Sequence, residues 1–327
     1  MRSGFGEFSL TVLGLAVATL FPAGVARAQE SYPSQDVRFV VAFAPGGPAD
    51  SIGRIIGQRL SEKWGRAVII ENRGGAGGNI AAQQVAKAEP TGYTVLVTTS
   101  AYAVNPSLSV NAGYSPKSDF RTAAIVATTP NIIVAAPGLK ASTLREVIAA
   151  AKTEKFSYGT AGRGVTPHLS AERIFKLVAK VDIAHVPFTG GAPALNALLG
   201  GHITLVSVAL PPALELVKSG QIKALAVTSA KRLPSLPNVP TASEEGFGDD
   251  EEGTWVALIL PAGTPPSLLA KLNADVNAVL AEKDIRQRLD QLGFLPVGGT
   301  LAEAEAYVQS EIVRWGEVVR KIGLKVE

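Results

Sequence analysis

Apolar positions along the chain fall into two alternating patterns. VRFVVAFA (37–44), AVIIEN (67–72) and YTVLVTTS (93–100) are short, nearly unbroken apolar runs, with the length and branched content of buried strands. Helically spaced segments lie between them. In DSIGRIIGQRLSEKW (50–64), Ile52, Ile55, Ile56 and Leu60 share one stripe, and NIAAQQVAKA (79–88) continues the series. This order predicts an α/β fold, a parallel sheet with helices on its faces.

The alternation then restarts. NIIVAAP (131–137) predicts a strand, and a helix at 143–152 opens with the capping box Thr143-x-x-Glu146. FSYGTA (156–161) and VDIAHVPF (181–188) predict strands around a helix at 167–179, where Thr166 is placed to cap and Pro167 to sit in the first turn. A short helix at 193–201 ends on glycine, and HITLVSVAL (202–210) and IKALAVTSA (222–230) read as further strands. TWVALILPAGTP (254–265) is a strand entering a loop, followed by helices near 266–281, 284–292 and 301–322. In the last, Val308, Ile312, Trp315, Val319 and Ile322 line one face. With no second sheet to cover, these helices are expected to return to the first domain. The predicted organisation is domain 1 at 29–135 plus 255–327 and domain 2 at 136–254, with two chain crossings forming a hinge. The acidic run DDEE (249–252) reads as a solvated turn.

At 327 residues the chain exceeds one ordinary core, consistent with two domains. Residues 1–28 read as a secretory signal: Arg2, the apolar stretch LTVLGLAVATLF (10–21), and a small-x-small site at Ala26-Arg27-Ala28. Cleavage near Ala28 would leave a mature periplasmic protein starting at Gln29, with a retained N-terminal anchor as the alternative. Without Arg2, Glu7 and Arg27, 29 basic and 27 acidic residues give a net charge of +2, which leaves no nucleic-acid footprint. The absence of cysteine removes thiol catalysis, iron–sulfur clusters and thiolate zinc sites.

Ligands of open α/β sheets bind outside the carboxyl ends of the strands. The turn after 37–44 is such a place. Gly46 and Gly47 permit close backbone approach, and the N–H groups opening the next helix, around Pro48, Ala49 and Asp50, favour an anion. No lysine follows, and Asp50 would repel a doubly charged group, so one carboxylate fits better than phosphate. Asp50 could equally be only the helix cap. RGGAGGNIA (73–81) has Ile80 where a dinucleotide fingerprint needs glycine, and reads as a turn capped by Asn79. Ser100 and Asn105, in the loop after the third strand, could face a ligand or cap their own loop. In YGTAGRGVTPHL (158–169), Thr160 and the Gly164–Thr166 segment form a second cradle. His168, in the first turn of a helix, is expected to be neutral and to orient that loop. VPFTGGAPAL (186–195) adds a turn at Thr189–Gly191. The three histidines have no metal-ligand spacing, and no nucleophile elbow or H-E-x-x-H motif occurs. Donors without a nucleophile–base pair suit binding rather than turnover, without cofactor or metal.

VRFVVAFAPGGPADSIGR, VIIENRGGAGGNIAAQQVAKAEPTGYTVLV, NPSL, HVPFTGGAPALNALLGGHI, IKALAVTSAKRLPSLPNVPTASEEGF and PAGTPPSLLAKLN, in this order, resemble the Bug-type receptors of tripartite tricarboxylate transporters. The resemblance runs from about residue 32 to the C-terminus. It implies a two-lobed periplasmic-binding-protein fold of the type II, Venus-flytrap kind, each lobe a mixed, mostly parallel sheet flanked by helices. It also implies a monomeric receptor that binds a small carboxylate between its lobes and delivers it to membrane permease subunits. The family's pocket loops match Phe43–Asp50 and Ser100–Asn105, including Ala101, on one side. On the other they match Gly162–His168 and Pro187–Gly191, including Phe188, Thr189 and Gly190. Two residues depart from the family pattern: Val165 stands where serine is usual, and Thr204 where aspartate is common. Val165 and Phe43 point to an apolar or aromatic body behind the carboxylate. The alternatives are a sensory protein presenting its ligand to a membrane kinase, or a hydrolase using His168.

Overall fold

The first strand–helix units assemble as the apolar pattern predicts. In the computed structural model, β1 (Val37–Val41), α1 (Pro48–Trp64), β2 (Val68–Asn72), α2 (Asn79–Ala86), β3 (Thr94–Thr99) and α3 (Ala101–Leu108) lead into a long strand, β4 (Phe120–Ala135). Then come α4 (Leu144–Ala150), β5 (Ser157–Thr160), α5 (Thr166–Glu172), β6 (Ala184–Pro187), α6 (Gly191–Leu199), β7 (Leu205–Ala209), α7 (Leu210–Lys218) and β8 (Lys223–Val227). The chain closes with β9 (Gly253–Pro261), α8 (Pro266–Ala281), α9 (Lys283–Gln291), β10 (Leu295–Pro296) and α10 (Leu301–Ile322). The structure describes residues 1, 4, 6, 32–108, 112–248 and 253–324, and from Tyr32 onward they belong to one unit. The apolar stretch at 10–21 and the acidic run at 249–252 lie outside the described residues.

The strands run in the order β2-β1-β3-β9-β4-β7-β5-β6, with β8 and β10 also paired to β4. Pairing is parallel among β2, β1 and β3 and among β7, β5 and β6. Every pairing of β4 and β9 is antiparallel. The sequence shows only the second half of β4, as a strand beginning at 131. The strand starts at Phe120 because 120–130 pair with β9 along their whole length, a long-range contact that local pattern does not encode. Residues 131–135 of the same strand pair with β7 and β8 instead. β4 therefore carries the chain from one half of the sheet to the other.

Three apolar clusters fill the interior. The largest joins β1, β3, the first half of β4 and β9 with α1, α2, α8 and α10. The other two flank the second half of β4 and draw on residues between 132 and 242. A fourth, smaller cluster packs Val104 and Leu108 of α3 and Leu169 of α5 against Trp315 and Val319 of α10.

Residues 101–108, expected as the loop after the third strand, form α3 even though Pro106 lies inside it. Burial against α10 overrides the local preference. Proline lacks the N–H that would donate to the Tyr102 carbonyl four residues back. The Tyr114 hydroxyl donates to that carbonyl instead, at 3.1 Å.

Helix starts differ from expectation in a consistent way. The N-caps of α1, α2 and α5 are Gly47, Gly78 and Val165, not Asp50, Asn79 and Thr166. Pro48 and Pro167 explain α1 and α5, since proline is pre-set for the first helical turn and lets each helix begin earlier. Thr143 does cap α4, accepting from the Glu146 N–H at 3.1 Å.

Candidate functional site

Four helix starts meet at one cavity. Gly47, Val165, Gly190 and Ala209 precede α1, α5, α6 and α7, and no side chain caps any of these four ends. The first N–H groups of a helix have no partner within it and carry the positive end of its dipole. Between them lies a small, partly open pocket. Its wall takes Gly47 and Pro48 from α1, Val165 and Pro167 from α5, Gly191 from α6, and Ala209 and Pro212 from α7. Phe43, Thr99, Ala161, Val208 and Thr254 complete it, and no lining residue is charged.

Asp50 does not face this space. It is buried in the first turn of α1, where its carboxylate accepts from Arg54 Nε at 3.0 Å, Asn72 Nδ2 at 2.9 Å and the Gly46 N–H at 2.9 Å. Burial alone would raise its pKa. The hydrogen bonds from Arg54, Gly46 and Asn72 outweigh it and hold the group below the ordinary aspartate value. Asp50 thus shapes the Pro45–Gly47 turn from behind and uses the Gly46 N–H to do so. Asn72 also donates to the Phe43 carbonyl at 3.0 Å, which ties the turn to the end of β2.

Ser100, expected as a donor to the guest, is fully buried in a chain of hydroxyls. Ser100 Oγ lies 3.0 Å from Thr166 Oγ1, and Thr166 Oγ1 lies 2.8 Å from Thr254 Oγ1. Thr254 reaches Asn131 Oδ1 at 2.8 Å, Asn131 Nδ2 reaches Ser170 Oγ at 3.2 Å, and Ser170 donates to the Thr166 carbonyl at 3.0 Å. The carbonyl end fixes every proton. Ser170 gives its own, so it accepts from Asn131 Nδ2. Asn131 then presents Oδ1 to Thr254, which must donate. Thr254 therefore accepts from Thr166, and Thr166 from Ser100. The chain joins the residue that follows β3 to α5, β9 and the crossing strand β4.

His168 stands behind the second loop. Its Nδ1 accepts the Gly164 N–H at 3.3 Å, so the neutral ring carries its proton on Nε2, facing Glu172 Oε1 at 3.8 Å. His185 stacks on it with ring centroids 3.9 Å apart, and His185 Nε2 meets Thr160 Oγ1 at 2.8 Å. Thr160 spends its proton on the Gly162 carbonyl, so His185 is the donor of that pair. Tyr158 donates to Glu172, and Lys176 Nζ lies 2.7 Å from the other carboxylate oxygen. Burial first, then the nearby Lys176 and Arg163 charges, pushes His168 down to about 3; burial and the neighbouring His168 push His185 down to about 3. The expectation of a neutral, loop-orienting His168 matches this geometry.

The two sides touch backbone to backbone. The Ala44 N–H donates to the Thr189 carbonyl at 3.2 Å. A Cβ on Gly190 would sit 2.9 Å from Ala44 Cβ, one on Gly74 would sit 3.2 Å from the Thr189 carbonyl oxygen, and one on Gly77 would overlap the Arg163 carbonyl. The glycines of 74–78, read from sequence only as a turn, thus form part of the contact between the sheet halves.

Of the expected site residues, Phe43, Gly47, Pro48 and Val165 line the cavity. Gly46, Thr189 and Gly190 are not in its wall and lie in the turns that lead into α1 and α6, while Ala49 and Ala101 are packed in the core. The side chains of Asp50, Ser100, Asn105, Thr160, Thr166 and His168 are not in the cavity wall: each is buried, and each is bonded within the protein. Asn105 donates to the Gly77 carbonyl at 3.0 Å and to Asn79 at 2.7 Å, and packs on Gly164, so it braces the contact between halves. Phe188 is half-buried beside Gly159, and its N–H donates to the Thr160 carbonyl at 3.0 Å. Thr204 pairs through its backbone with Ser157 and Ala136. Pro167 and Gly191 lie within the segments matched to the family's pocket loops, whereas Thr99, Ala161, Val208, Ala209, Pro212 and Thr254 were not expected. The start of α7 at Pro211-Pro212 was the signal available for that part of the wall.

Two lobes joined by shared strands and closed over helix starts define a solute-binding protein of the two-lobed periplasmic-binding class. The profile of the family described as tripartite tricarboxylate transporter family receptor matches residues 52–324, and the chain belongs to that family. It is 32% identical to protein BugT of Bordetella pertussis, over 97% of this chain and 98% of that one. It is also similar to the structure of the periplasmic binding protein BugD, with 34% identity, a TM-score of 0.86, and coverage of 90% of this chain and 100% of that one. An R. palustris protein solved with adipate matches at 36% identity and a TM-score of 0.86, over 90% of this chain and 99% of that one. These relatives are receptors and binding proteins, not enzymes. The hydrolase alternative has no support in the geometry either, since His168 is 2% exposed and its Nδ1 is already engaged.

Proposed function

We propose that this chain is an extracytoplasmic receptor that captures a small carboxylate between its lobes and hands it to the membrane permease subunits of a tripartite tricarboxylate transporter. The convergence of four uncapped helix starts on one cavity carries this reading. Main-chain N–H groups and helix dipoles favour a negative charge, and no lining side chain competes for it. The R. palustris neighbour solved with adipate supports a carboxylate guest. We assign the lobes as 29–135 with 255–327, and 136–254. The separate apolar clusters and the passage of β4 between halves support this division. The receptor acts as a monomer in the periplasm after cleavage near Ala28, and needs no cofactor.

A thermal-shift screen of mono-, di- and aromatic carboxylates against neutral sugars tests capture. At least one acid raises the melting temperature and the sugars do not; stabilisation by sugars alone refutes the reading. Loss of uptake of the stabilising acid in cells lacking this chain tests delivery.

A further inference from the structure

We infer that the guest has one carboxylate and an apolar body, and that a second ionised end is excluded; this rests on the carboxylate reading above. Few side-chain protons around the cavity are free for an anion. Two lining residues carry hydroxyls, Thr99 and Thr254. Thr254 gives its proton to Asn131 Oδ1 and accepts from Thr166, so it has none left for an anion. The hydroxyls behind it are committed in the same chain: Ser100 to Thr166, and Ser170 to the Thr166 carbonyl. Thr99 Oγ1 accepts from the Ala101 N–H at 3.4 Å and keeps its own proton, which makes it the side-chain donor remaining in the wall among the described residues.

The rest of the wall repels charge. Phe43, Val165 and Val208 are apolar. Pro48, Pro167 and Pro212 remove main-chain N–H groups from three of the four helix starts. Lysine and arginine are absent from the lining. One carboxylate can be held by the remaining first-turn N–H groups and Thr99. A second, buried against proline and valine, would lose its water without replacement, which is strongly unfavourable. A ring or branched aliphatic body meets no such cost. Val165 and Val208 are the residues that set this preference.

Calorimetry with benzoate, cyclohexanecarboxylate, adipate, malate and neutral benzamide tests the inference. One of the two apolar monoacids binds at least about tenfold tighter than either diacid, and benzamide binds more weakly than benzoate. Val165→Ser moves the ratio toward the diacids, and serine is favoured at an N-cap, so the helix start tolerates it. Val208→Thr, close to isosteric, makes the same test within β7. If a diacid matches or exceeds both monoacids, the single-carboxylate inference is wrong and the carboxylate receptor stands. If none of the four acids binds, both fall.

Discussion

The main-chain N–H of Ala44 donates to the carbonyl of Thr189 across the cleft, at 3.2 Å. Ala44 follows β1 and Thr189 follows β6, so one hydrogen bond ties the opening turn of one lobe to the turn before α6 of the other. Around it the lobes approach so closely that glycine is required, and the consequences are measurable.

Gly77→Ala should prop the lobes apart. Its added methyl would overlap the Arg163 carbonyl, and the residue has φ +63°. Gly65→Ala is the control, with φ +64° and open space around it. Both variants carry similar backbone strain, about 1 kcal/mol. Small-angle scattering should show a larger radius of gyration for Gly77→Ala alone. Equal radii would mean that Gly77 does not govern closure.

Gly47→Val should weaken binding while leaving the fold intact. Gly47 has ordinary extended backbone, and its Cβ would meet nothing nearer than the Ala44 carbonyl oxygen at 3.8 Å. The residue also lines the cavity, so the branched side chain takes ligand space. Circular dichroism and urea unfolding should match the parent, while titration with the stabilising acid shows about a tenfold or greater loss. Unchanged affinity would reduce the turn to a purely structural role.

Asp50→Asn should destabilise the protein by about 1–3 kcal/mol, the scale of hydrogen bonds to a charged group. The loss is moderated because the Arg54 side chain is half exposed and regains water. The carboxylate's pKa is lowered in the folded state, so its contribution is present above the unfolded aspartate value and is lost as pH falls through the folded one. Urea midpoints for parent and variant at pH 7 and pH 3 should converge at the lower pH.

The histidine pair should make the protein acid-sensitive above the carboxylate range. Both rings have folded values near 3 against an ordinary 6.5. The unfolded chain therefore binds more protons below about 6.5, and stability falls as pH drops from there toward 3. Tyr158, Glu172, Lys176 and Arg163 surround the pair, and the two cations oppose its protonation. Unfolding midpoints between pH 6.5 and 5 should slope downward for the parent and less steeply for His168→Gln. Parallel slopes would show that His168 is not the buried proton acceptor.

Much of the architecture was legible along the chain. Ile52, Ile55, Ile56 and Leu60 marked α1, and Val308, Trp315 and Val319 marked the buried face of α10. These are local periodicities, imposed by a helix that must hide one side. α3 was not legible: the segment after β3 reads as a loop, and packing against α10 and the Tyr114 hydroxyl compensate for the donor that Pro106 lacks. The first half of β4 was hidden for a similar reason, because its partner β9 lies over a hundred residues away.

By itself the sequence determined where strands give way to glycine-rich turns and helix starts, since burial pattern, glycine and proline act over a few residues. Only the tertiary structure decided which polar groups face the cavity. Ser100, Thr166 and Asp50 have the chemistry of ligand donors or partners, but Thr254, Asn131 and Arg54 claim them first. A hydroxyl proton or a carboxylate lone pair can be spent once, and the partner that claims it is set by contacts between segments far apart in the chain.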